Sequence, residues 1–441
     1  MNHRNAFTRR SCIARLAATL LPLPSLARAA TVSAPPWPAL QNVLDEFVIE
    51  RSAVGTSVAV ARSGTAAYLD AGRIAFDSPE PFDENSICRI YSMTKNVTRI
   101  ATLLLVEDGK LSLEQPVAEV LPEFRNLRVA IDIAKGLESR PVTRVMTMRH
   151  LITNTSGLGN WTPGSDSGDA LHRLYRERGI TPGSYGTGRT RPGYGAQPAT
   201  LDEMVARVAE LPLAFEPGTT LHYSIGFDVM ALVIERVTGI SYDAFLQKRL
   251  FEPLQMHSTG FQVKPHDARR LTTNYDATER QVNSAEHSAQ DPALPAGWRV
   301  QDDRAGSDWL KPPHLLAGGG GLVSTSRDFL RYAQMLLDEG ALGSTRIMKV
   351  DTARMAVGNI NPPNAAEPDE GVGAGTRAML RTPLIPPGTI GGGGATGTLF
   401  WIDPKHHTAA VFMVQVMYGG PARSPFQKRL FAAIDQDMAS A

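Results

Sequence analysis

Tyr91-Ser92-Met93-Thr94-Lys95 runs without a break into Asn96-Val97-Thr98-Arg99-Ile100-Ala101-Thr102-Leu103-Leu104-Leu105-Val106-Glu107, closed by Asp108-Gly109. Val97, Ile100, Ala101, Leu103, Leu104 and Leu105 cover more than one face, so the spacing predicts a buried α-helix over Thr94–Glu107 with a glycine stop. Ser92 stands at its start and Lys95 one turn later. Positions i and i+3 share a helix face, with Cβ atoms about 5–6 Å apart. A serine hydroxyl is a weak nucleophile at neutral pH and needs a base within hydrogen-bond reach. The positive end of the helix macrodipole would also favour an oxyanion forming there. Simpler readings share these residues: a serine before an apolar run is a common N-cap, and a lysine after it is often solvated. Ser-x-x-Lys alone is weak, because with nine lysines in the chain a chance match is roughly an even bet. Against the capping reading, Lys95 occupies the position where a capping box would place Glu or Gln, and it opens a helix too apolar for the surface.

Working outward, Cys88 lies in the strand-like run Ile87-Cys88-Arg89-Ile90-Tyr91 and reads as a buried core thiol. Leu40, Val43, Leu44 and Phe47 give helical spacing to Ala39–Glu50. Thr56–Ala61 and Ala66–Leu69 read as strands split by the hairpin signal Arg62-Ser63-Gly64. Near the other end, Gly397–Ile402 and Thr408–Val416 form a second apolar pair around Asp403-Pro404-Lys405-His406, and an amphipathic helix, Pro425–Met438, follows. Strands at both ends with helices between them (Leu201–Glu210 and Phe227–Val237 besides the first) predict one antiparallel sheet built from the two termini. The middle becomes a mostly helical insertion. Trp161–Pro198 and Asp276–Pro313 lack periodicity and are expected to be loops walling a cleft.

The 441 residues carry a formal net charge of +1 and 42% hydrophobic residues. That is an ordinary globular balance, with no basic patch for nucleic acid or an anionic membrane. Residues 1–29 differ: Thr8-Arg9-Arg10-Ser11-Cys12-Ile13 precedes an apolar stretch to Leu26 and then Ala27-Arg28-Ala29. This pattern is a secretory signal peptide, too short in its apolar part for a stable membrane anchor, and its paired arginines fit twin-arginine export. The expected location is periplasmic or secreted. Cys12 leaves with the signal, so Cys88 is left without an intramolecular partner.

Three further segments accompany the Ser92 tetrad: Met148-Arg149-His150-Leu151-Ile152-Thr153-Asn154-Thr155-Ser156-Gly157-Leu158, then Pro217-Gly218-Thr219 leading to Tyr223-Ser224, then Gly318-Gly319-Gly320-Gly321-Leu322-Val323-Ser324-Thr325. In this order they resemble the serine β-lactamase and penicillin-binding superfamily, with class C β-lactamases and family VIII carboxylesterases as the nearest kin. The resemblance covers about residues 40–435. It implies an α+β fold of β-lactamase/transpeptidase type, an antiparallel sheet flanked by helices with a mostly helical insertion. The single domain, 37–435, would divide into a sheet lobe (37–90 and 314–435) and a helical lobe (91–313).

By the same resemblance Tyr223 is the tyrosine of a Tyr-x-Asn motif, a phenol able to shuttle a proton beside Ser92 and Lys95. Read without it, Tyr223 is as well a core aromatic with its hydroxyl satisfied by backbone. Ile225 stands where β-lactamases carry the asparagine that contacts the lactam amide side chain, and Asn154 stands where the family usually has histidine. No Lys-Thr-Gly triplet occurs. The matching segment is Gly391-Gly392-Gly393-Gly394-Ala395-Thr396-Gly397, where Gly392 takes the place of an aromatic common in the esterases. Gly393 and Gly394, with Ile225, are the expected substrate-lining positions. The backbone N–H groups of Ser92 and Ala395 are the expected oxyanion hole, where losing one donor typically costs about 3 kcal/mol of barrier.

The resulting expectation is a serine hydrolase that cleaves small esters through an acyl-enzyme on Ser92, without cofactor or metal. His406-His407 sit in a polar turn with no third ligand at suitable spacing, and no Gly-x-Ser-x-Gly elbow occurs. The partner is a small ester or amide substrate. Two rivals remain: a β-lactamase or D-amino-acid peptidase, for which Arg178, Arg189 or Arg191 would supply a cation, and a penicillin-binding-type sensor that acylates without turnover. The sequence carries no sign of oligomeric state.

Overall fold

The computed structural model describes residues 37–159, 170–180, 195–277, 294–363, 365, 389–417 and 424–440. The segment 1–29, read from the sequence as a signal peptide, lies outside them, as do Arg189 and Arg191. Among the described residues no helix is long and apolar enough to cross a membrane.

The two ends of the chain build one five-stranded antiparallel sheet. Helix α1 (Pro38–Ile49) precedes strands β1 (Gly55–Arg62) and β2 (Thr65–Gly72). Strands β3 (Ile390–Gly393), β4 (Leu399–Asp403) and β5 (Thr408–Val414) return near the other end, and the spatial order is β3-β4-β5-β1-β2. The register runs from Thr56↔Val414 to Arg62↔Thr408 between β1 and β5. Ser63 and Gly64 both take positive φ in the two-residue β1–β2 loop, the geometry that matches strand twist in a tight hairpin.

The strands are apolar on both faces because both faces are covered. Val58, Val60, Leu399, Trp401 and Phe412 pack beneath α1 and the last helix, α10 (Ser424–Ser440), with Leu40, Leu44, Phe47, Leu430 and Ile434. The alternate residues Ala59, Ala61, Phe400, Ile402, Val411 and Met413 join the larger core of the other face. Helix α8 (Ser326–Leu337) lies on that face through Phe329 and Tyr332, whose rings meet Phe400. This period-2 division is why the strand runs read as nearly continuous hydrophobic stretches.

The intervening chain carries α2 (Thr94–Glu107), α3 (Met148–Ile152), α4 (Ala170–Glu177), α5 (Leu201–Ala209), α6 (Gly226–Thr238), α7 (Tyr242–Leu246) and, beyond α8, α9 (Val350–Val357). Helix α2 spans the predicted residues and is buried along almost its whole length. Two expectations need correction. The run Ile87–Tyr91 forms a strand only at Cys88–Arg89, paired with Val323–Ser324, and Tyr91 already begins a 3₁₀ turn. The segment 161–198 contains α4, which buries Leu171 and Tyr175 in the core, and 276–313 contains a strand, Arg299–Asp302, paired with Asn274–Asp276. Cys88 is fully buried, and burial pushes its thiol up to about 12.

Candidate active site

The segment entering α2 is held at both sides. Ile90 N–H donates to Leu322 O at 3.1 Å, and Leu322 N–H donates to Thr94 Oγ1 at 3.2 Å. Between these ties Tyr91 adopts φ +39°, a backbone conformation uncommon for a bulky residue. Its ring meets Trp309 edge-on at 6.0 Å. Ser92 follows on the 3₁₀ turn Tyr91–Met93, half-buried, one residue short of α2. Strain of this kind persists only where surrounding contacts impose it, and it concentrates at working sites.

Ser92, Lys95 and Tyr223 come together. The Ser92 and Tyr223 hydroxyls are 2.6 Å apart, while Lys95 Nζ is 3.5 Å from Ser92 Oγ. Lys95 donates more closely to the Gly319 carbonyl and lies 4.5 Å from the centre of the Tyr223 ring. The lysine is thus oriented by a carbonyl and an aromatic face, and the phenol is the nearest proton partner of the serine. Tyr223 sits in the coil that leads into α6.

Two polar residues that the motif reading did not single out complete this cluster. Asp228, in the first turn of α6, is buried, and its Oδ1 accepts the Gly319 N–H at 2.9 Å. Burial raises its carboxyl above the usual range, opposed by the Lys95 ammonium and the Gly319 N–H. The carboxylate packs so tightly that a Cβ on Gly319 would fall 2.6 Å from Oδ2, which accounts for glycine there. Asn96, buried beside Lys95, fills the space over Gly392: a Cβ at that position would meet Asn96 Nδ2 at 2.5 Å. The amide of Asn96 therefore occupies the space into which a side chain at position 392 would project. A buried polar residue in the first turn of an apolar helix was the available signal for each.

Strand β3 is the sheet edge beside this cluster. Gly393 is half-buried, whereas Gly394 is buried against the segment that leads to Ser92. Its N–H donates to Thr398 O at 2.8 Å, and an added Cβ would lie 2.4 Å from Ile90 O and 2.3 Å from Thr398 Oγ1. Ala395 follows directly. Among the described residues no acceptor takes the backbone N–H of Ser92 or of Ala395.

Ile225 lies elsewhere: its side chain is fully buried in the core at the N-cap of α6 and does not face the cleft. Arg178 pairs with Glu210, and its carbonyl accepts from Arg207. His406 pairs with Asp403 and His407 with Asp338.

With this geometry in view, the family comparison is decisive: the beta-lactamase family model matches residues 40–433. The chain belongs to the beta-lactamase family. Esterase EstB of Burkholderia gladioli is 31% identical over 398 residues, covering 86% of this chain and 91% of its own. The lovastatin esterase of Penicillium rubens is 28% identical over 262 residues, 58% of this chain and 57% of its own. Among solved structures, the hydrolase EstCE1, described as having promiscuous acyltransferase activity, superposes with TM-score 0.67 at 25% identity, covering 90% of this chain and 97% of that one. Simvastatin synthase from Aspergillus terreus shares the fold, with TM-score 0.68 at 18% identity over 93% of this chain and 100% of that one. This beta-lactamase-family chain is a serine hydrolase with the α+β fold expected of it, mixed helices around antiparallel sheets.

Proposed function

We propose that this protein hydrolyses small carboxylic esters through an acyl-enzyme on Ser92. The observation that carries the reading is the 2.6 Å contact between the Ser92 and Tyr223 hydroxyls, with the Lys95 ammonium against the same ring. Ser92 Oγ attacks the ester carbonyl carbon while its proton passes to the Tyr223 oxygen, the Tyr223–Lys95 pair entering the step with one proton fewer than phenol plus ammonium and so able to take it. The carbonyl π pair moves onto oxygen, collapses back, and the C–O bond to the alcohol breaks. The same pair returns the proton to the departing alkoxide. Water then attacks the acyl-enzyme by the reverse proton route and releases the acid. The backbone N–H groups of Ser92 and Ala395, unpaired among the described residues, are suited to hold the oxyanion. Half-buried Gly393 is the strand-edge position offered to the substrate chain, Gly394 being packed against Ile90 O.

An ester fits better than a β-lactam. The third motif supplies no lysine for a substrate carboxylate, and Ile225 offers no amide and is enclosed in the core. The two esterases among the relatives point the same way. The arginine-rich leader implies export, to be tested by fractionating cells that express the full chain.

The test is steady-state kinetics of the mature chain on p-nitrophenyl acetate and butyrate beside nitrocefin. Ester turnover that disappears in Ser92→Ala, with nitrocefin slow or inert, is the expected result. A mass shift that persists after the ester is exhausted would favour a sensor that acylates without turnover. Full ester activity in Ser92→Ala would overturn the reading.

A further inference from the structure

Asn154 stands where the family usually has histidine, and the reaction as described does not use it. It is almost fully buried, at 3% exposure, and adopts φ +55°. Asparagine tolerates this left-handed conformation better than most residues. The turn sends its two oxygens in a common direction. Its main-chain carbonyl accepts the His222 N–H at 2.7 Å, and its side-chain Oδ1 accepts the Ser224 N–H at 3.2 Å. Those two residues are the immediate neighbours of Tyr223.

The stretch Leu221–Ser224 has no regular secondary structure, so nothing in a helix or strand ladder fixes the Tyr223 backbone. Asn154 is itself referenced to the helix that carries Lys95. Arg99, one turn beyond Lys95 on α2, donates to the Ile152 carbonyl at 3.1 Å through Nη2. Thr155 N–H donates to His150 O at 3.0 Å, and Thr153 and Thr155 share a hydroxyl contact at 2.8 Å. A continuous path therefore runs from α2 through Ile152 and Asn154 to both sides of the phenol. Tyr223 must meet a serine 131 positions away to within a hydrogen bond, and displacements of about 1 Å in such arrangements can cost about a hundredfold in rate.

We propose that Asn154 is a positioning residue for the Tyr223 phenol, gripping the two peptide groups on either side of it. The inference rests on the reading of Tyr223 as the proton-transfer partner of Ser92. The variants Asn154→Gly, Asn154→Asp, Tyr223→Phe and the double variant Asn154→Gly/Tyr223→Phe, assayed on p-nitrophenyl butyrate with melting temperatures measured alongside, test it. Asn154→Gly keeps the left-handed backbone and the carbonyl bond but removes the amide oxygen. Its kcat is expected to fall about tenfold or more, with KM within about twofold. Asn154→Asp keeps an acceptor oxygen and is expected to retain most of the turnover; it also serves if the glycine variant fails to fold. The double variant is expected to be no slower than Tyr223→Phe alone, because a mispositioned phenol and a missing one are the same defect. Wild-type kcat in Asn154→Gly, or losses that multiply in the double variant, would overturn the role of Asn154 while leaving Tyr223 in place. Full activity of Tyr223→Phe would instead remove the reading on which the inference stands.

Discussion

Tyr223 Oη lies 0.9 Å closer to Ser92 Oγ than Lys95 Nζ does, 2.6 Å against 3.5 Å. Only the first is an ordinary hydrogen-bond distance. The ammonium spends its short contact on the Gly319 carbonyl, so its influence on the serine passes largely through the tyrosine ring it faces. Tyr223→Phe removes the proton relay and preserves the ring under Lys95. Its kcat on p-nitrophenyl butyrate is expected to fall about 10²–10⁴-fold, the usual worth of general acid–base catalysis, with the melting temperature little changed. A loss of less than about threefold would assign the proton to Lys95 alone.

The buried sheet and helix α2 were legible because their signals are local. Alternating residues of β1 and β5 meet two different cores, and the apolar residues of α2 cover more than one face of a helix buried nearly all round. Helix α4 was missed although Leu171, Leu174 and Tyr175 repeat at helical spacing, because glycine, proline and arginine dominate the segment around it. Ile225 was misjudged for the opposite reason: its motif position suggested the cleft, while its apolar side chain belongs to the core. A polar residue in the first turn of an apolar helix marks Asp228 and a departure from the family pattern marks Asn154, but neither signal names a partner. Their partners are Gly319 and Ser224, 91 and 70 positions away, and only the folded path brings them together.

Gly394 sets how closely the sheet edge approaches the segment that carries Ser92. Gly394→Ala would push a methyl group into two oxygens, Ile90 O and Thr398 Oγ1, and the backbone carbonyl cannot turn away as a flexible side chain could. The expected outcome is a stability loss of about 1–3 kcal/mol, as for overpacking, read from urea unfolding. A larger effect on kcat than on KM is expected as the Ala395 N–H moves from Ser92. Wild-type kcat with a normal unfolding midpoint would mean that the segment can shift freely.

His150 links acidity to folding. Its Nδ1 accepts the Thr147 N–H at 3.1 Å in the capping box of α3, and burial pulls the ring from 6.5 down to about 4. A depressed folded-state value means that the neutral ring's contribution is complete above the unfolded value near 6.5 and is lost as pH falls towards 4. The reason is local, because a protonated Nδ1 can no longer accept that hydrogen bond. Melting temperature should therefore decline between pH 6.5 and 4. His150→Gln offers a capping-box acceptor that does not titrate and should flatten the decline. An unchanged slope in the glutamine variant would place the acid sensitivity elsewhere.

Three residues before Ser92, Arg89 is entirely buried in an ion pair with Asp302. Its guanidinium also donates to Thr272 O and to Ser307 Oγ, and packs over Trp309. Its backbone completes a second tie, accepting at the carbonyl from Thr396 Oγ1 and Gln415 Nε2, both at 3.1 Å. The residue thereby joins the Ser92 segment to the β3–β4 turn on one side and to the strand Arg299–Asp302 on the other. Asp302→Ala leaves a fully buried guanidinium without its counter-charge, and breaking a buried pair on one side typically costs about 3–5 kcal/mol. Replacing both partners, Arg89→Met with Asp302→Leu, removes the charge altogether and should recover most of that loss while keeping the Thr396 and Gln415 ties, which use the Arg89 backbone. Urea midpoints of the single and double variants separate the two effects. Should the double variant be as unstable as Asp302→Ala, the hydrogen bonds to Thr272 and Ser307, rather than the neutralised charge, would be what holds this corner of the site.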